Sequence, residues 1–178
     1  MSQSIKNGLK ILIRSLLVCG FLFGISMKDN KPVQMKTITK NNMTVSWEYK
    51  NDRIHFAMKA PAEGWVAIGF NTEENITGTY LLMGNVIAGV PDVIEYYTIN
   101  PGNYRPVTAL GGKSGVDHVA GEEYNGNTSL KFSLPLRSKT GYGRLLTEGT
   151  SYVMVLAYSL EDDFQHHSIM RTSIKIKL

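Results

Sequence analysis

The stretch from Gly64 to Gly89, GWVAIGFNTEENITGTYLLMGNVIAG, decides how the chain is read. It opens on a compact apolar run, Trp65 to Phe70, preceded by Pro61 and Gly64 and rich in aromatic and β-branched residues. That is the composition of a central strand in an antiparallel sheet. Side chains alternate along a strand, so Val66, Ile68 and Phe70 share one face and Trp65, Ala67 and Gly69 the other. Both faces are apolar. One is expected in the core and the other beneath a separate cover, with the small Ala67 and Gly69 leaving room on that second face. A polar loop, Asn71 to Gly78, follows, and the chain returns through Leu81 and Leu82 to Met83 and Gly84.

Working outward, the same period of two recurs. Thr44 to Tyr49 sets Val45, Trp47 and Tyr49 against Thr44, Ser46 and Glu48, and Arg53 to Ala60 sets Ile54, Phe56 and Met58 inward. With Asn51-Asp52 between them these segments read as a β-hairpin. Further strands are expected at Trp65–Asn71, Met83–Val90, Val93–Ile99 after a Pro91-Asp92 turn, Ser129–Leu134, Tyr152–Ser159 and Thr172–Leu178. Asn100–Gly121, with seven Gly and Pro residues, and Pro135–Gly149 read as loops. No helical periodicity exceeds a turn or two, and no internal repeat appears. Many short strands separated by Gly, Pro and Asn turns predict an all-β fold, an antiparallel β-sandwich.

The first residues are set apart. Lys6, Lys10 and Arg14 precede an apolar run from Leu16 to Ile25, with Gly24 and Ser26 placed as at a cleavage site. Residues 1–26 therefore read as a secretory signal peptide, with an uncleaved anchor as the alternative; the run is short of the roughly 20 residues of a membrane span. Residues 27–42 form a polar lead-in and 43–178 the domain. Export to a periplasmic, extracellular or cell-surface location follows, with membrane attachment only if the anchor is retained. Cys19, the sole cysteine, falls within the signal, which leaves no disulfide, thiol or C-x-x-C-H chemistry in the remainder. The signal also carries three of the four net positive charges. The remaining basic residues are scattered, so nucleic acid is not an expected partner.

Four histidines and one methionine stand out. His55 alternates with Ile54 and Phe56 and points to the polar face or solvent, while His118 sits beside Asp117 in the glycine-rich segment. His166-His167 lies in LEDDFQHHSIMR, a connection between strands. Met83 starts a strand after a long loop, and Gly84 after it lets a flat group approach the backbone.

The ordered set WEY (47–49), GWVAIGFN (64–71), MG (83–84), VIEYY (93–97), TSLKFSLPL (128–136), VLAYS (155–159) and a following histidine resembles the DOMON domain. The resemblance runs from about Met43 to the end of the chain. It implies an immunoglobulin-like β-sandwich that holds a non-covalent b-type haem between the methionine of the MG strand and a late histidine; other members take sugars or related small ligands. Carried over, Met83 is one axial ligand and His167 or His166 the other. His167 is preferred because Ser168 follows it and Arg171 stands four positions on. His166 has the parity of Phe164. The resemblance further implies Trp65 and Phe70 as pocket walls, with Tyr96, Tyr97 or Arg171 toward the propionates. Imidazole and thioether together give a six-coordinate iron with no open position, hence electron transfer. No reductase, dehydrogenase or membrane cytochrome domain follows in the sequence, so the redox partner is expected to be a separate protein or a small-molecule reductant.

Two other readings compete. One is a carbohydrate or small-ligand module using the same pocket without iron, with Tyr80, Tyr104 and Tyr124 stacking on sugar rings. The other is a copper or zinc site built from His118, His166 and His167. Catalysis finds little support: Asp162-Asp163 and Glu122-Glu123 are adjacent pairs whose side chains diverge, and no nucleophile triad or phosphate loop appears.

Overall fold

The computed structural model describes residues 35–136, 142 and 145–178. The expected signal segment lies outside the described residues, as does most of the RSKTGYGR run at 137–144. Among the described residues eleven strands form two sheets: β1 (Lys36–Lys40), β2 (Met43–Lys50), β3 (Arg53–Ala60), β4 (Val66–Asn71), β5 (Tyr80–Ile87), β6 (Val90–Asn100), β7 (Asn103–Pro106), β8 (Asp117–Tyr124), β9 (Asn127–Pro135), β10 (Ser151–Tyr158) and β11 (Met170–Lys177). A five-stranded sheet has the order β1-β2-β3-β9-β8, and a six-stranded sheet the order β11-β10-β4-β5-β6-β7. Every pairing is antiparallel. The fold is the expected all-β sandwich. Among the described residues no helix is long and apolar enough to cross a membrane.

Four hairpins turn through pairs of residues with positive φ: Asn41-Asn42, Asn51-Asp52, Ala88-Gly89 and Asn125-Gly126. Two consecutive left-handed residues match the right-handed twist of the flanking strands, and Asn, Asp and Gly adopt that conformation at least cost. The Ala88-Gly89 turn corrects one boundary. The β5–β6 reversal comes before Pro91-Asp92, and β5 begins at Tyr80 rather than Met83. Pro91 sits in β6 opposite Val86, on a stretch that β7 does not reach, so its missing N–H interrupts no ladder on that side. β1, expected within the polar lead-in, and β7 and β8, expected within a loop, are edge strands. Their burial is partial, which is why periodicity did not reveal them.

The inner faces meet in an aromatic and aliphatic core. Phe56 packs on Phe70 and Phe132 with ring centroids 5.5 Å apart in each case, and Phe70 meets Tyr152 edge-on at 6.1 Å. Val66, Ile68 and Phe70 of β4 all point into this core. Their alternates point the other way, to the outer face of the six-stranded sheet, and there the candidate site lies.

Candidate functional site

Strand register places Arg171, Ala157, Ala67, Met83 and Ile94 in one row across β11, β10, β4, β5 and β6. This row runs over the outer face. Met83 is only 3% exposed and belongs to a second apolar cluster, separate from the main core, with Trp65, Ala67, Tyr96 and Ala157. Leu81, Ile94, Tyr104 and Phe164 pack against that cluster. The two faces of β4 are therefore both buried, as its sequence requires. The room left by Gly69 is taken by its own sheet: a Cβ there would lie 2.6 Å from Leu81 Cδ2 and 2.8 Å from Thr79 Cγ2.

The cover is the β10–β11 connection, residues 159–169. Its base is pinned to Trp65 by two backbone hydrogen bonds, Trp65 N–H to Glu161 O at 3.0 Å and Ser159 N–H to Trp65 O at 2.9 Å. Asn85 Nδ2 donates to Asp162 O at 2.9 Å. The Tyr104 hydroxyl donates to the Phe164 carbonyl. Tyr96 stands edge-on to both Tyr104 (5.3 Å, 82°) and Phe164 (6.1 Å, 79°). Gly64 makes the crossing possible. A Cβ on it would lie 2.6 Å from Glu161 N and Leu160 C and 2.7 Å from Ser159 O, all backbone atoms.

Burial, with the negative charge of Asp92 and Asp163 nearby, pushes the Tyr96 and Tyr104 phenols above their ordinary range. Burial, then the neighbouring Glu161, pushes the Asp162 carboxyl up. Two buried polar atoms here find no partner among the described residues, Trp65 Nε1 and Asp162 Oδ1. An unpaired buried donor costs free energy that a ligand acceptor would recover. On its open side the loop borders a cleft of about 590 Å³ lined by Asn85, Asp92, Tyr96, Asp162 and Phe164.

The expected site residues divide. Met83, Trp65 and Tyr96 lie together on the outer face. Arg171 lies on the same face but three strands from Met83, exposed beside a second cleft of about 470 Å³ with Asn75 and Ser173. His166 and His167 are on the covering loop, both exposed. His166 N–H donates to Asp163 O at 2.9 Å, and His167 O accepts from the Ser159 hydroxyl at 3.2 Å.

Phe70 is not a wall of this site, because strand alternation sends it into the inter-sheet core. Tyr97, next to Tyr96, likewise faces the other way; it is half-buried against Tyr142. Gly84 alternates with Met83, so its missing side chain makes room for Leu130 of the facing sheet and the backbone of Asp92, not for a ligand on the Met83 face. Tyr80, expected to stack on sugars, is 2% exposed in the core, and only Tyr124 of that trio is strongly exposed. His118 lies in β8 of the five-stranded sheet and does not join His166 and His167. Among the described residues no three His, Cys, Asp or Glu side chains gather where they could hold a metal ion.

Phe164, Asn85 and Gly64 are site residues that sequence reasoning missed, and Tyr104 was expected there only as a residue stacking on sugar rings. Asn85 carried a signal: it is a polar residue of Met83's parity in an otherwise apolar strand.

A family model described as the DOMON domain matches residues 39–159. No curated protein matches the chain. Among solved structures, the cytochrome b domain of pyranose dehydrogenase from Coprinopsis cinerea aligns with a TM-score of 0.58 at 15% identity, covering 79% of this chain and 80% of that one. The cytochrome domain of cellobiose dehydrogenase from Myriococcum thermophilum aligns with a TM-score of 0.58 at 11% identity, covering 82% of each. At these identities the likeness is one of fold.

Proposed function

The chain belongs to the DOMON domain family, and we propose that it is an exported, haem b-binding electron-transfer domain, with Met83 and His167 as the axial ligands and His166 as the competing imidazole. One observation carries the reading. The thioether of Met83 is buried on an apolar outer face whose cover is the loop bearing both candidate histidines. The donor set fits the group: a soft thioether on a strand, imidazoles on the connection that covers it, and a buried Trp65 N–H on the same face with no partner among the described residues. Bound haem would supply a one-electron couple with both axial positions filled.

The chain's own residues do the rest. Trp65, Tyr96 and Ala157 exclude water from Met83. Phe164 and Tyr104 now occupy the apolar ground, so ligation by His167 requires the 159–169 loop to repack while Trp65 and Asn85 hold its base. Arg171, on the rim of the same face, is placed for a carboxylate through its planar fork. The redox partner is a separate protein or a small reductant.

The test is the visible spectrum of the protein supplied with haem. A sharp Soret band with split low-spin bands on reduction is expected, lost in Met83→Ala and in His167→Ala but kept in His166→Ala. A spectrum unchanged in Met83→Ala removes this ligation.

A second reading has its own observation. Tyr96, Tyr104 and Phe164 form an aromatic cluster on the Met83 face, and Tyr96 and Phe164 line the cleft of about 590 Å³ beside it. A small-ligand or carbohydrate module using the same face would then give a colourless protein and a glycan-dependent thermal shift. No shift across a broad glycan panel removes it.

A further inference from the structure

The outer face of the five-stranded sheet, opposite the site just described, carries two histidines brought together by a distortion in an edge strand. β8 pairs with β9 from Tyr124 to Ala120, then slips, and resumes at Asp117 opposite Ser133. His118 falls inside this bulge with φ +55°, a left-handed conformation uncommon for a residue other than glycine. Bulges re-aim side chains, and this one turns the His118 ring over Ser133 toward His55, which is Ser133's other cross-strand neighbour. The two imidazoles stack with centroids 6.3 Å apart and planes 29° apart.

Hydrogen bonding engages one nitrogen of His118. Ser133 Oγ has one proton, which it donates to Asp117 O at 3.3 Å, and it accepts from Arg53 Nε at 2.8 Å. His118 Nδ1 lies 2.9 Å from the same oxygen. When Nδ1 carries the proton of the neutral ring, the lone pair of His118 is on Nε2. His55 Nε2 is buried and has no partner among the described residues. Both histidines line one cavity of about 360 Å³, with Glu48 directly opposite His55 and the exposed Lys131 at its rim. The charge of Arg53 is already matched by Asp117 at 3.9 Å and by the carbonyls of Gly115 and Ser133.

We propose that His55 and His118, aligned by the β8 bulge and the Ser133 hydroxyl, form a two-imidazole site for a divalent transition-metal ion of the zinc–copper class. Neutral imidazoles are the preferred ligands of these ions, held at about 2.0–2.1 Å from nitrogen. Among the described residues no third ligand converges, so water completes the coordination. Glu48 adds negative field. Ser133 is the positioning residue, because its bond to Nδ1 orients the His118 ring, the usual service of a ligand's hydrogen-bond partner.

The experiment is a calorimetric titration of Zn2+ into the chelator-stripped full chain. One equivalent should bind. His55→Ala and His118→Asn should each weaken binding tenfold or more; Asn tolerates the left-handed backbone, so the second variant keeps the bulge. Ser133→Ala should weaken it less. The His166→Ala/His167→Ala double variant should bind as the wild type does. Absence of binding by the wild type, binding that survives His118→Asn unchanged, or binding lost in the 166/167 double variant would overturn the site.

Discussion

The centre of the six-stranded sheet, at β4, is buried on both faces, but by different means. Its inner face meets a second sheet, and many residues from β2, β3 and β9 share the contact. Its outer face meets a single connection, residues 159–169, held by a few hydrogen bonds and two aromatic side chains. Burial by a sheet is collective, whereas burial by a loop depends on its anchors and can open without unfolding the domain. A ligand face under such a loop is stable when closed and still accessible.

The largest effect should come from the inner face. Phe70 is fully buried between Phe56 and Tyr152. Phe70→Ala should cost about 3–5 kcal/mol, the range for removing a buried aromatic ring, read as a fall in the urea midpoint with an unchanged slope. A cost below about 1 kcal/mol would erase the distinction between the faces.

Gly64→Ala addresses the outer face. The added methyl would meet three backbone atoms of residues 159–161 at 2.6–2.7 Å, and backbone cannot yield as a side chain can. A cost of about 1–3 kcal/mol is expected from such overpacking. Hydrogen exchange should show the loss concentrated in 159–169 and the Trp65 amide, with the β4–β5 ladder still protected. Uniform loss of protection would mean that loop and sheet open as one unit.

How much of this was legible in sequence follows the same division. β2, β3 and β9 have a polar outer face, and their alternation gave both strand and facing directly. β4 is apolar on both sides, which announced a cover for Trp65 and Ala67 but not its identity. The cover comes from about a hundred residues downstream of Trp65, and nothing local to Phe164 marks it. Met83 and Trp65 could be paired by parity. Phe70 could be excluded by the same rule, since it alternates with Gly69, yet aromatic character suggested a pocket wall. β1 and β8 carried Asn41-Asn42 and Asn125-Gly126 turn signals, but edge strands bury too little for a clean period of two. The His55–His118 contact depends on a bulge, which shifts register in a way composition does not encode.

The smallest effect tests a polar seam on the inner side. Glu95, 5% exposed, accepts from the Tyr80 hydroxyl, the Ser114 hydroxyl at 2.6 Å and the Gly115 N–H at 2.6 Å, and so ties the 111–116 segment to β5 and β6. Tyr80→Phe removes one donor and should cost about 1–2 kcal/mol at pH 7, within the range for a buried hydrogen bond to a carboxylate. The pH dependence gives a sharper reading. Burial, then the charge of Glu95 and the hydrogen bond to it, push the Tyr80 phenol well above its ordinary value. A phenol whose pKa is raised on folding adds stability that is complete below about pH 10 and is lost as pH rises beyond it. The wild type should therefore lose stability above that pH faster than Tyr80→Phe, and the gap between the two should narrow. Urea denaturation of both proteins at pH 7 and in the alkaline range measures this directly. A gap that stays constant would mean that Tyr80 ionises no less readily in the fold than in the unfolded chain, and the inner face would then be no drier at this seam than the outer face is beneath its loop.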